Sequence, residues 1–80
     1  MILTITHEGS WRAVGSTVTY DFLDIGPYTA EVYLINDNKP FPTWRWIVRK
    51  NDQYLASGVV TDYYGALDAA ETAIKIDAGV

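Results

Sequence analysis

The chain has 80 residues, with six Lys and Arg against ten Asp and Glu, a net charge of −4 at pH 7, 49% hydrophobic residues and no cysteine. That length fits one domain over residues 1–80, and the lack of Cys excludes disulfides, thiolate metal sites and thiol nucleophiles. The acidic balance argues against general affinity for phosphate backbones and favours a partner whose own surface is basic.

Residues 2–6 are largely β-branched and stop at the turn-prone Glu8-Gly9-Ser10. With no basic leader and no long apolar run, this stretch reads as a strand, not a signal peptide or a membrane span. A second extended stretch is expected over residues 16–25, where Val18, Tyr20 and Phe22 alternate with Thr17, Thr19 and Asp21. Gly26-Pro27 breaks the chain. Residues 28–35 follow as a strand, with Tyr28, Ala30, Val32 and Leu34 on one face and Thr29, Glu31, Tyr33 and Ile35 on a wetter one.

Residues 36–43 read as a loop, because Asn36-Asp37-Asn38 favours turns and Pro40 and Pro42 forbid regular pairing. In the next strand, residues 44–50, Trp44, Trp46 and Val48 point one way and Arg45, Ile47 and Arg49 the other. Asn51-Asp52 makes a hairpin turn, and residues 54–60 return as the partner strand. Gly58 within it marks a bulge or a close approach of the helix.

A helix is expected next, capped by Thr61 or Asp62, whose side-chain oxygens can accept from first-turn N–H groups. Ala66, Leu67, Ala70, Ala73 and Ile74 recur at helical spacing, with Tyr63 one turn earlier. Asp68, Glu71, Thr72 and Lys75 are expected on the opposite side, with Glu71 and Lys75 as an i,i+4 pair. Gly79 is placed to end the helix. The fold class is therefore α+β: an antiparallel sheet of about four strands with one C-terminal helix packed on one face.

Chemistry is sparse along the chain. His7 is the one histidine and reads as a solvated residue beside a turn. Ser10, Ser16 and Ser57 lie in no nucleophile-elbow pattern, and no glycine-rich phosphate cradle follows a strand. Asn36-Asp37-Asn38 lacks the Gly and terminal Glu of a calcium loop. The carboxylate pairs Asp21/Asp24 and Asp68/Glu71 read as solvated faces. No catalytic residue, metal site or cofactor is expected.

The alternation sends Trp44 and Trp46 to the face opposite Arg45 and Arg49, whereas a base-stacking platform needs both on one surface. The tryptophans are expected beneath the helix and the arginines paired with acids such as Glu31, without direct binding of nucleic acid. Trp11, Phe41 and Tyr64 sit beside turns or at the helix start; they read either as exposed aromatic anchors or as a lid over the core ends. Asp52, Asp62, Asp68, Glu71 and Asp77 are the candidate partner-binding carboxylates, since acids spaced along a rigid element can imitate phosphates.

The segments Tyr28-Thr29-Ala30-Glu31-Val32 and Trp44-Arg45-Trp46-Ile47-Val48, then Ala56-Ser57-Gly58 before an Ala-rich helix, resemble small phage and prophage accessory proteins over about the last two-thirds of the chain. In size, acidity and architecture the chain is similar to anti-CRISPR proteins. The resemblance implies a non-enzymatic inhibitor in the cytoplasm of a host bacterial cell. It would bind a basic, nucleic-acid-binding surface of a CRISPR effector complex through an acidic, DNA-mimicking face. The alternative is a small phage structural or assembly module, a homodimer paired through a strand edge.

Overall fold

The computed structural model describes residues 11–13, 20–37 and 40–79. The strand expected at residues 2–6, His7 and the 16–19 portion of the second stretch lie outside the described residues. Among the described residues five strands, β1 (Arg12–Ala13), β2 (Tyr20–Ile25), β3 (Tyr28–Asn36), β4 (Thr43–Lys50) and β5 (Gln53–Val60), precede helix α1 (Tyr63–Ala78). They form one sheet in the order β1-β2-β3-β4-β5, antiparallel at every step. The architecture is thus the expected α+β one: among the described residues, four long strands with the two residues of β1 beside β2, and a C-terminal helix across one face.

Two tight turns set the register. Gly26 takes φ 58° ahead of Pro27, whose ring fixes φ negative, so Ile25 and Tyr28 pair across a type II′ hairpin. Asn51 and Asp52 take φ 52° and 66°, the paired positive values of a type I′ turn, and Lys50 pairs with Gln53. The Asn51 N–H donates to the Pro27 carbonyl at 2.8 Å, which ties the two turns together.

With that register, Leu23, Ala30 and Val48 align across the strands beneath α1, as do Val32 and Trp46, and Leu34, Trp44 and Val60. From above, α1 contributes Ala66, Leu67, Ala70 and Ile74, all buried. Trp44, Trp46 and Val60 are half-buried and pack against this core, as expected for tryptophans beneath the helix. The alanines let the helix axis approach closely while the large strand residues fill the gap.

In β2 the alternation holds, but its apolar members Tyr20 and Phe22 are not those turned to the helix. Leu23 and Asp21 are buried instead. Tyr20 stacks on Tyr33 over the open face at a centroid distance of 5.9 Å. The reason is register: Asp21 lies opposite Val32 and Leu23 opposite Ala30, so both share the face of the core residues on β3.

Gly58 marks a close approach, though of a tryptophan and not of the helix. A Cβ at this position would lie 2.6 Å from Nε1 of Trp46, its cross-strand partner. The bulge sits nearer the turn: Val48 pairs with Ala56 and Arg49 with Tyr54, so Leu55 is the extra residue, and it packs against the core.

Candidate functional site

Helix α1 carries most of the carboxylates expected to meet a partner, and the structure separates them. Asp62 is the N-cap, with extended backbone, and its Oδ2 accepts from the Gly65 N–H at 2.8 Å. It is exposed, as is Asp68 six residues on. At the other end Gly79 takes φ 80° and donates to the Lys75 and Ile76 carbonyls, closing the helix as expected.

Glu71 does not belong to the solvated side. It is 6% exposed, and its Oε2 accepts from Nε1 of Trp11 at 2.7 Å. Trp11 in turn is 8% exposed and joins the core, so it is no exposed anchor. An indole has one N–H donor, which must be satisfied when the ring is buried. A carboxylate reaching down from the flank of the helix meets that need, which draws Glu71 out of the acidic stripe. Sequence periodicity could not reveal this, because the two residues are 60 positions apart.

Asp21 is the second buried acid, 5% exposed, and its Oδ2 accepts from the Tyr63 hydroxyl. The expected solvated pair with Asp24 is not formed: Asp21 faces the core and Asp24 is exposed on the other face. Burial, and then the bond to Asp21, push the Tyr63 hydroxyl far above the usual phenol range. The Tyr63 ring also lies against Trp44, at a centroid distance of 5.0 Å.

Asp77 is exposed but engaged. Its Oδ2 accepts from the Tyr28 hydroxyl at 2.7 Å and lies 3.1 Å from Nζ of Lys50. The bond from Tyr28, followed by that from Lys50, lowers the Asp77 carboxyl below its ordinary value. The same contact with Asp77 raises both Tyr28 and Lys50. This cluster fastens the C-terminal turn of α1 to β3 and β4. Asp52 lies at the same end of the sheet, exposed on the β4–β5 turn.

A different group gathers at the opposite end. The β3–β4 loop and the β5–α1 junction both leave the sheet beside the Leu34–Trp44–Val60 row. Phe41 on that loop is 70% exposed and Tyr64 on the first helical turn is 59% exposed, with the exposed carboxylates of Asp37 and Asp62 on the same two segments. Tyr64 and Asp68 are four residues apart and so share one helix face. Of the residues nominated from the sequence, Phe41, Asp62 and Tyr64 lie toward this end of the molecule, and Asp68 follows on the helix face of Tyr64. Asp52 and Asp77 lie away from it, and Trp11 and Glu71 are inside.

On the sheet face away from α1, Arg49 Nη1 lies 3.3 Å from Oε1 of Glu31, the pairing expected from cross-strand geometry. Among the described residues no cluster of three or more His, Asp or Glu is arranged to hold a metal, and no helix is long and apolar enough to cross a membrane. Compared with models of known protein families, with curated proteins and with solved structures, the chain matches none.

Proposed function

We propose that this chain is a non-enzymatic protein-binding module, an inhibitor of the phage anti-CRISPR kind, whose partner presents a basic, nucleic-acid-binding surface. The contact is the helix-start end of the molecule, with Asp62 and Asp68 as the carboxylates and Tyr64 and Phe41 as the aromatic anchors. The observation that supports this reading is the coincidence, at one end, of two largely exposed aromatics with exposed acids, in a chain of net charge −4. Exposed aromatic anchors beside complementary charge are the usual composition of a binding hot spot.

The acidic face is narrower than a continuous imitation of a nucleic acid strand. Asp62 and Asp68 are separated by about 9 Å of helix rise, wider than the roughly 3.4 Å phosphate rise along one DNA strand. Recognition on this reading is by a few charge contacts around aromatic anchors. Association should therefore be steered by charge and weakened by salt.

The test is recovery of a CRISPR effector complex from lysate by the tagged chain, repeated with Asp68→Lys and Tyr64→Ala. Both residues are exposed, so both variants are expected to fold normally and to recover less effector, with recovery by the parent chain falling as salt rises. Undiminished recovery by both variants would remove this surface from consideration, and failure to recover any effector from an active system would remove the inhibitor reading.

A further inference from the structure

The sheet face turned away from α1 is built from three cross-strand rows, because residues paired on neighbouring strands point to the same side. One row runs Tyr20–Tyr33–Arg45–Val59, the next Phe22–Glu31–Ile47–Ser57, and the third Asp24–Thr29–Arg49–Tyr54. The tryptophans of β4 lie on the helix side, so they do not share a surface with the arginines. Three tyrosines do. Tyr20 and Tyr33 are half-buried, with their rings stacked at an interplanar angle of 16°. Tyr54 is 69% exposed, and the bulge at Leu55 turns it to this side. Without the extra residue, Tyr54 would oppose Lys50 and point toward the helix side.

All three arginines of the chain hold ladder positions of this same face: Arg12 opposite Phe22, Arg45 opposite Tyr33 and Arg49 opposite Thr29. Arg45 is exposed and forms no ion pair among the described residues. The acids in the three rows are Asp24 and Glu31, and Arg49 lies 3.3 Å from Glu31. Three arginine positions against two carboxylates make this face locally basic, although the chain carries −4. The other acids described above sit elsewhere: Asp21 and Glu71 inside, Asp77 against Lys50, Asp62 and Asp68 on the helix.

We propose that this sheet face binds single-stranded nucleic acid, its bases stacking on the tyrosine rings and its phosphates meeting Arg45 and the arginines beside it. The arrangement supplies both requirements on one surface. Arg45 neighbours Tyr33 across β3–β4, and Arg49 neighbours Tyr54 across β4–β5. Strands about 4.8 Å apart put each guanidinium within one nucleotide of a ring. Ring faces favour a single strand, because a duplex keeps its base faces stacked inside, and a sequence-tolerant one, because every base has a π-face. An acidic protein would use the arginines but leave the rings without a stacking partner. With two or three phosphates neutralised, affinity should be modest, about 10–100 µM, with a log–log salt slope of about −0.7 per phosphate.

The inference is independent of the inhibitor reading, which uses the helix-start end and a protein partner. The experiment is fluorescence anisotropy of labelled oligo(dT) and oligo(rU) against the purified chain over a salt series, with a duplex of the same length and polyglutamate as competitors. The expected result is saturable binding of a single strand at low salt, weakened about ten-fold by Tyr33→Ala. Arg45→Ala should also weaken binding and make the salt slope shallower by about 0.7. If Tyr33→Ala fails to fold, the exposed Tyr54→Ala carries the stacking test. Tighter binding of one oligonucleotide than the other supports the proposal and tells which sugar the face prefers. Absence of binding at low salt, or binding that the folded tyrosine variants leave unchanged, would overturn it. So would competition by duplex or by polyglutamate as effective as that by unlabelled single strand, since either would mean recognition of charge without bases.

Discussion

Gly58 shows how one side chain can be specified by another's shape. The Trp46 indole lies across it so closely that an added Cβ would be 2.6 Å from Nε1 and 2.9 Å from two ring carbons. A packed indole has little room to retreat, so Gly58→Ala is expected to destabilise by about 1–3 kcal/mol, as overpacking generally does. Denaturant unfolding measures this directly. Stability equal to the parent's would mean that the indole moves aside freely. From the sequence, a glycine inside a strand indicated a bulge or a close approach, but not which neighbour approached.

For α1, cap, spacing and stop all agree with the sequence, because each depends on residues within a turn or two of one another. Asp62, the apolar spacing of Ala66 to Ile74, and Gly79 at positive φ are local signals. Whether Glu71 faces water is not local, since the indole that claims it arrives from Trp11. Helical periodicity places Glu71 beside Asp68 and Thr72; the structure places it inside. The two acids should consequently differ on charge reversal. Asp68→Lys is expected to leave the unfolding midpoint nearly unchanged, whereas Glu71→Lys opposes a buried N–H donor with a cation and should cost at least about 2 kcal/mol. Equal effects of the two substitutions would contradict the burial of Glu71.

At the scale of the whole molecule, the sheet and helix are joined by polar bonds whose strength depends on pH. Asp77 is lowered by its bonds from Tyr28 and Lys50, so its contribution is present above the ordinary carboxylate pKa and is lost as pH falls through the depressed value. Tyr28, raised by its bond to Asp77, and Tyr63, raised chiefly by burial, act in the opposite sense. Their contributions are complete below the ordinary phenol pKa, about 10, and disappear as pH rises beyond it. Melting temperature should thus fall at both extremes. Asp77→Asn should flatten the acid limb, and Tyr63→Phe the alkaline one. An acid limb as steep in Asp77→Asn as in the parent would show that other groups govern it.

The features legible in the chain are those written in short-range order. Alternation of apolar and polar residues marked β3 and β4, Asn51-Asp52 marked a hairpin, Gly26-Pro27 marked a break in the chain that the structure shows to be a second hairpin, and the alanine-rich 3.6 period marked the helix. Those signals suffice for an α+β architecture because pleat, turn and helix are set by neighbouring residues. Tertiary structure alone decided which acids meet solvent. Asp21 and Glu71 look like surface residues in sequence, yet each is buried beneath or beside the helix, where Asp21 accepts from the Tyr63 hydroxyl and Glu71 from the Trp11 indole N–H. It also decided that Phe41 and the helix-start residues Asp62 and Tyr64 lie at one end of the molecule, since the register brings the ends of β3, β4 and β5 together there. A buried donor chooses its acceptor by proximity in space, and one chain of residue types does not encode that distance locally.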